Sequence, residues 1–110
     1  MTATNPTTTT PPADVPMPAG ARADLWLRGQ YRVIFRDRHL KLEGDPLKSP
    51  SVCITAVQWA DGTVGDGSTE EGPAVHVHCF GDDGLTPAQA RELAAMIVEA
   101  ADELDRWVTR

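Results

Sequence analysis

Apolar residues recur at steps of three and four along the last quarter of the chain, through Ala90, Leu93, Ala94, Ile97, Ala101, Leu104 and Val108, with Met96, Ala100 and Trp107 widening the stripe. That period belongs to a helix with one buried face. Its polar side carries Arg91, Glu92, Glu99, Asp102, Glu103, Asp105 and Arg106. The start is marked as well. Thr86 is an N-cap residue, Pro87 takes the first helical position, where its missing N–H costs nothing, and Gln89 completes a Thr-x-x-Gln capping box. Asp82 and Asp83, just upstream, suit the positive end of the helix dipole. The pattern predicts one long helix from Pro87 to about Val108.

Upstream of Gly81 the period changes from helical spacing to two. Ala23 to Phe35 reads as a strand, with Leu25, Trp26 and Leu27 at its start, a bend at Gly29, and Tyr31, Val33 and Phe35 alternating with Arg32, Ile34 and Arg36. A tight turn is expected around Asp37-Arg38, followed by a short strand through Leu40 and Leu42, then a turn at Glu43-Gly44-Asp45-Pro46. Ser51 to Trp59 is apolar at both parities, through Val52, Ile54 and Ala56 and through Cys53 and Val57, which predicts a central strand covered on both faces. A long glycine-rich, acidic loop from Asp61 to Pro73 leads to a last strand, Ala74 to Phe80.

These elements predict an α+β fold, an antiparallel meander of three or four strands with one long C-terminal helix packed on one face. A helix is ~10 Å wide, whereas four strands at ~4.8 Å spacing span nearly twice that. One helix therefore leaves sheet uncovered. The expected remedy is a homodimer or a bound protein partner that completes the burial.

Composition sharpens this picture at the N-terminus. Residues 1–21 are rich in Thr and Pro, with Pro6, Pro11, Pro12, Pro16 and Pro18, and show no apolar period. They read as a disordered or polyproline-like tail ahead of a single domain at 22–110. Such a tail also suits a glycosylated stalk or a ligand for a proline-binding groove. It has neither the basic start nor the apolar stretch of a signal peptide, and no stretch of the chain is apolar for the ~18 residues of a membrane span. A cytoplasmic location is expected.

The net charge of −6 is unevenly spread: residues 1–48 hold seven Lys/Arg against five Asp/Glu, residues 49–110 three against eleven. Arg28, Arg32, Arg36, Arg38 and Lys41, interleaved with Trp26, Tyr31 and His39, form the basic cluster of the chain. It could bind a partner, either by gripping a phosphate backbone while its aromatics stack on bases, or as a strand face that pairs with the acidic loop or acidic helix of a second subunit. His76 and His78 point the same way from a strand and could share a metal ion. A structural zinc site needs four ligands and a catalytic one three, and Cys79 points to the other face. Cys53 and Cys79 are expected to face inward as small core hydrophobes. No phosphate-binding loop, nucleophile elbow or paired-carboxylate pocket is present in the sequence pattern, so no cofactor and no enzymatic activity are expected.

Three stretches also carry a resemblance. Ser51-Val52 through Trp59-Ala60-Asp61-Gly62-Thr63, Val75-His76-Val77, and the helix reading Leu85-Thr86-Pro87-Ala88-Gln89-Ala90-Arg91-Glu92-Leu93-Ala94 and ending Ala100-Ala101-Asp102-Glu103-Leu104-Asp105 resemble uncharacterised small proteins of high-GC Gram-positive bacteria and their phages. In that family short strands precede a Leu-Thr-Pro-x-x-Ala-Arg-x-Leu-Ala helix. The resemblance implies a bacterial or phage setting and transfers no functional residues. The expected function is thus a small non-enzymatic interaction module that self-associates; the alternative is a nucleic-acid-associated accessory factor using Arg28–Lys41.

Overall fold

In the computed structural model, which describes residues 15–41, 49–68, 72–79 and 84–108, the alternating segments become four strands: β1 (Arg22–Ala23), β2 (Tyr31–His39), β3 (Ser51–Trp59) and β4 (Ala74–His78). They form one antiparallel meander in the order β1-β2-β3-β4. The helix α1 covers Pro87–Val108, and its capping box closes as the sequence requires. The Thr86 N–H donates to Gln89 Oε1 at 2.9 Å, and the Gln89 N–H donates to Thr86 Oγ1 at 3.1 Å. Asp82, Asp83 and the turn expected at Glu43–Pro46 lie outside the described residues.

Two strand expectations are corrected. The stretch expected as one strand from Ala23 to Phe35 is a hairpin, because Arg28 (φ 55) and Gly29 (φ 67) both take positive φ. Two successive residues in that region make the tight turn whose twist matches flanking antiparallel strands. Leu27 then pairs with Tyr31. The turn expected at Asp37-Arg38 is absent, and β2 continues to His39, paired residue by residue with β3 from Tyr31↔Trp59 to His39↔Ser51. Consecutive charges mimic a turn in sequence, but here they alternate across the sheet, each with a partner on its own face.

The core lies between the sheet and α1. It comprises Ile34, Val52, Ile54 and Ala56 from the sheet and Leu93, Ala100, Leu104 and Trp107 from the helix, with Leu40 at the end of β2. On the helix the buried stripe is rotated toward Met96, Ala100 and Trp107 relative to the sequence reading, and Ala90 and Ala94 are exposed. Alanine satisfies an apolar pattern without demanding burial; Trp107 does demand it, and it turns the helix. α1 sits over β3 and β4, so β2 runs along its flank. That position explains the alternation Arg32, Ile34, Arg36, Arg38. Ile34 tucks under, while Arg36 and Arg38 reach across to the helix.

What they reach is Glu103. The sequence places it on the polar side, but it is only 4% exposed. Its carboxylate accepts from Arg36 Nη1 at 2.8 Å and makes a second, short contact with Arg38 Nη2, while Arg38 Nη1 pairs with Glu99 at 2.9 Å. Burial pushes this carboxyl up, but the hydrogen bonds and charges of the two guanidinium groups outweigh it and hold Glu103 below the usual glutamate range. Arg36 and Arg38 of the basic strand thus pair with the acidic helix of their own chain.

Residues 15–21, assigned to the tail by composition, also belong to the packed structure. Arg32 Nη2 donates to the Val15 carbonyl at 2.9 Å and Gln58 Nε2 to the Pro16 carbonyl at 2.8 Å. Pro18 is buried. A turn closed by Ala21 N–H to the Pro18 carbonyl at 3.0 Å, with Gly20 at φ 82, then feeds β1. A Cβ on Gly20 would sit 2.7 Å from Arg36 Nη1. Residues 1–14 lie outside the described residues.

Candidate interaction surface

Register assigns every strand residue to a face. Partners across the sheet share a side, so the face away from α1 carries five rows: Tyr31 with Trp59, Val33 with Val57, Phe35 with Arg22, Thr55 and Ala74, Asp37 with Cys53 and His76, and His39 with Ser51 and His78. None of these residues is buried, whereas Ile34, Val52, Ile54, Ala56 and Gln58 on the other face all are. β3 is central, as expected, but the described chain covers it on one face only.

This open face has two unlike halves. The first is apolar. Tyr31 and Trp59 lie with ring centroids 5.8 Å apart and planes tilted 60°, a cross-strand aromatic pair. Val33, Val57 and Phe35 continue the band, and Arg22 stacks over Phe35 at 5.9 Å. At its margin the hairpin leaves Leu25 86% and Leu27 47% exposed. Those two leucines, Asp24 and Val33 line a hollow of about 310 Å³. The band is kept open by the chain that follows β3. Trp59 N–H donates to the Thr63 carbonyl and Gly65 N–H to the Val57 carbonyl, so the returning chain fills the sheet edge rather than the sheet face.

The second half is polar and brings unexpected neighbours together. Cys53 lies in register between Asp37 and His76, a nucleophile, an imidazole and a carboxylate on three adjacent strands. Sequence reasoning missed it, because the pairing of β2 with β3 was hidden by the supposed turn at Asp37-Arg38. Burial, with the hydrogen bond and negative charge of Asp37 added to it, pushes the Cys53 thiol up to about 11, so a thiolate is scarce at neutral pH. His76 Nε2 is engaged with Thr55 Oγ1 at 3.1 Å. Cys53 and Cys79 are both free; Cys53 is half-buried on the open face and Cys79 exposed just past β4, so neither is the core cysteine expected. His76 and His78 do share a face, and both are exposed. Among the described residues no group of three or more His, Cys, Asp or Glu side chains is placed to hold a metal ion.

The basic cluster is dispersed. Arg32, Arg36 and Arg38 sit on the helix side of β2, opposite in facing to Tyr31. Arg32 lies 4.3 Å above the Trp26 ring and donates from Nε to Gln58 Oε1 at 2.8 Å; Arg36 and Arg38 hold Glu103. Arg28 and Lys41 are exposed, one at the hairpin turn and the other beyond the far end of β2. Among the described residues no helix is long and apolar enough to cross a membrane. The chain was compared with protein-family models, with curated proteins and with solved structures, and none of them matches it.

Proposed function

We propose that the protein is a non-enzymatic interaction module of the cytoplasm that works through its open sheet face, and that its first partner is a second copy of itself. One observation carries this reading: Tyr31, Val33, Phe35, Val57 and Trp59 form a continuous apolar band with exposed Leu25 and Leu27 at its margin. Two such bands, placed face to face at the ~10 Å spacing of packed sheets, bury one another. Because a face that pairs with itself needs no complementary charge, the pairing is apolar. The arginines that would have made it electrostatic are engaged with Glu103 and Gln58 of their own chain.

The test is solution mass by sedimentation equilibrium across a wide concentration range, at about 50 mM and 500 mM salt. The expected result is a dimer whose dissociation constant changes little with salt, and which a charge at the centre of the band, Val57→Asp, weakens at least about a hundredfold. That size follows from leaving a buried carboxylate without a partner. A chain that stays monomeric at millimolar concentration rules out self-association.

A further inference from the structure

The segment Val15–Pro18 is tied to the sheet through its backbone. Its attachment is by side chains donating to its backbone carbonyls, Arg32 to Val15 and Gln58 to Pro16. The donors come from β2 and β3, and contacts that do not involve the segment fix them in place. Arg32 is set by Trp26 below its guanidinium and by Gln58 Oε1 at its Nε; Gln58, 1% exposed, also donates to the Gly62 carbonyl at 3.3 Å. Trp107, 2% exposed, lines the same hollow as the segment. Pro18 is buried, Met17 is 43% exposed, and a hollow of about 230 Å³ bounded by Pro16, Met17, Pro18, Gln58, Val64 and Trp107 remains unfilled.

Fixed donors aimed at carbonyls, with an indole lining the same hollow as the prolines, are the chemistry that recognises an extended proline-containing peptide. Proline suits such a seat. It has no N–H to satisfy, its fixed φ keeps the chain extended, and an extended chain presents its carbonyls outward. We propose that this groove is a binding site for extended Pro-x-Pro peptides, and that Val15-Pro16-Met17-Pro18 is its tethered resident. A separate peptide of the same chemistry takes the seat when the resident is withdrawn, and the unfilled volume gives room for side chains bulkier than those of the resident. The site lies on the helix side of the sheet and stands or falls independently of the open face.

The experiment uses the full chain with residues 15–18 changed to Gly-Ser-Gly-Ser, which withdraws the resident and leaves Arg32, Gln58, Val64 and Trp107 in place. A synthetic peptide spanning residues 12–20 is titrated in, with intrinsic tryptophan fluorescence and calorimetry as readouts. The expected result is saturable 1:1 binding in the ~10–500 µM range. Glycine at both peptide positions matching Pro16 and Pro18 should weaken it at least tenfold. The unaltered chain should bind the same peptide at least tenfold more weakly than the altered one, since a tethered resident competes at millimolar effective concentration. A folded altered chain that binds nothing at 1 mM overturns the proposal. So does equal binding of the glycine peptide. An altered chain that fails to fold overturns it too, because the segment is then part of the core rather than a guest; Pro16→Gly, a milder withdrawal, decides the same question by binding the peptide with intermediate affinity or not at all.

Discussion

Glu103 is the residue on which the two charged elements of the chain converge, and its protonation matters to the fold. Its folded-state pKa is depressed by Arg36 and Arg38. The stability it contributes is therefore present above the pKa of an unfolded glutamate, 4.5, and is lost as pH falls through its lower folded value. Denaturant unfolding should show Glu103→Gln less stable than the parent by about 2–3 kcal/mol at pH 7, a figure reduced from that of a fully buried pair because Arg36 is 41% exposed. The difference between the two proteins should shrink as pH falls below 4.5 and vanish once it has passed below the lower folded value. Cys53 makes a second test. A shift from 9.0 to about 11 leaves about a hundredfold less thiolate at neutral pH, partly offset by the greater nucleophilicity of a more basic sulfur. Alkylation of Cys53 at pH 7.5, followed by mass spectrometry, should be about tenfold slower than that of free cysteine in the same solution. Neither property could be read in the sequence. Glu103 lies at the flank of the helical stripe, where a charged residue is assigned to solvent unless its partner is known, and that partner set sits on β2, more than sixty residues away.

Among the elements, α1 was legible almost to the residue because its signals are local. A cap, a proline at the first position and a repeating apolar stripe all act within a few residues of one another. Thr86→Ala should accordingly cost about 1 kcal/mol in thermal or denaturant unfolding, since it frees the Gln89 N–H and opens the capping box. β2 and the first hairpin were misread for the opposite reason. Whether Asp37-Arg38 turns or continues depends on whether a strand lies opposite, and nothing local says so. The turn at Gly20 was hidden inside a stretch whose composition reads as a tail. Its geometry gives a sharp expectation: Gly20→Ala meets both a positive φ and the Arg36 guanidinium that Glu103 holds in place, and should destabilise the fold by about 1–2 kcal/mol. The same change at Gly84, where an added Cβ meets nothing within 4 Å, is the matched control.

At the scale of the whole molecule, the shortage of cover argued from one helix and four strands is met on one face and left unmet on the other. Arginine stems and the 15–21 segment finish what α1 begins on the helix side. Across the sheet the apolar band stays open. That half of the candidate site was legible as an excess of apolar strand residues; which residues compose it was not, because facing depends on a register the sequence does not state. The internal pairing of Arg36 and Arg38 also predicts how the chain behaves toward nucleic acid: in a gel-shift or anisotropy titration at about 50 mM salt, neither DNA nor RNA should bind in the micromolar range, since the phosphate term needs clustered cations.

Pro16 and Pro18 border the same hollow as Trp107, so the first described segment and the last turns of α1 meet at one corner, on the side away from Tyr31 and Trp59. A change made at this corner therefore acts on the helix side of the sheet and leaves the aromatic band as it is.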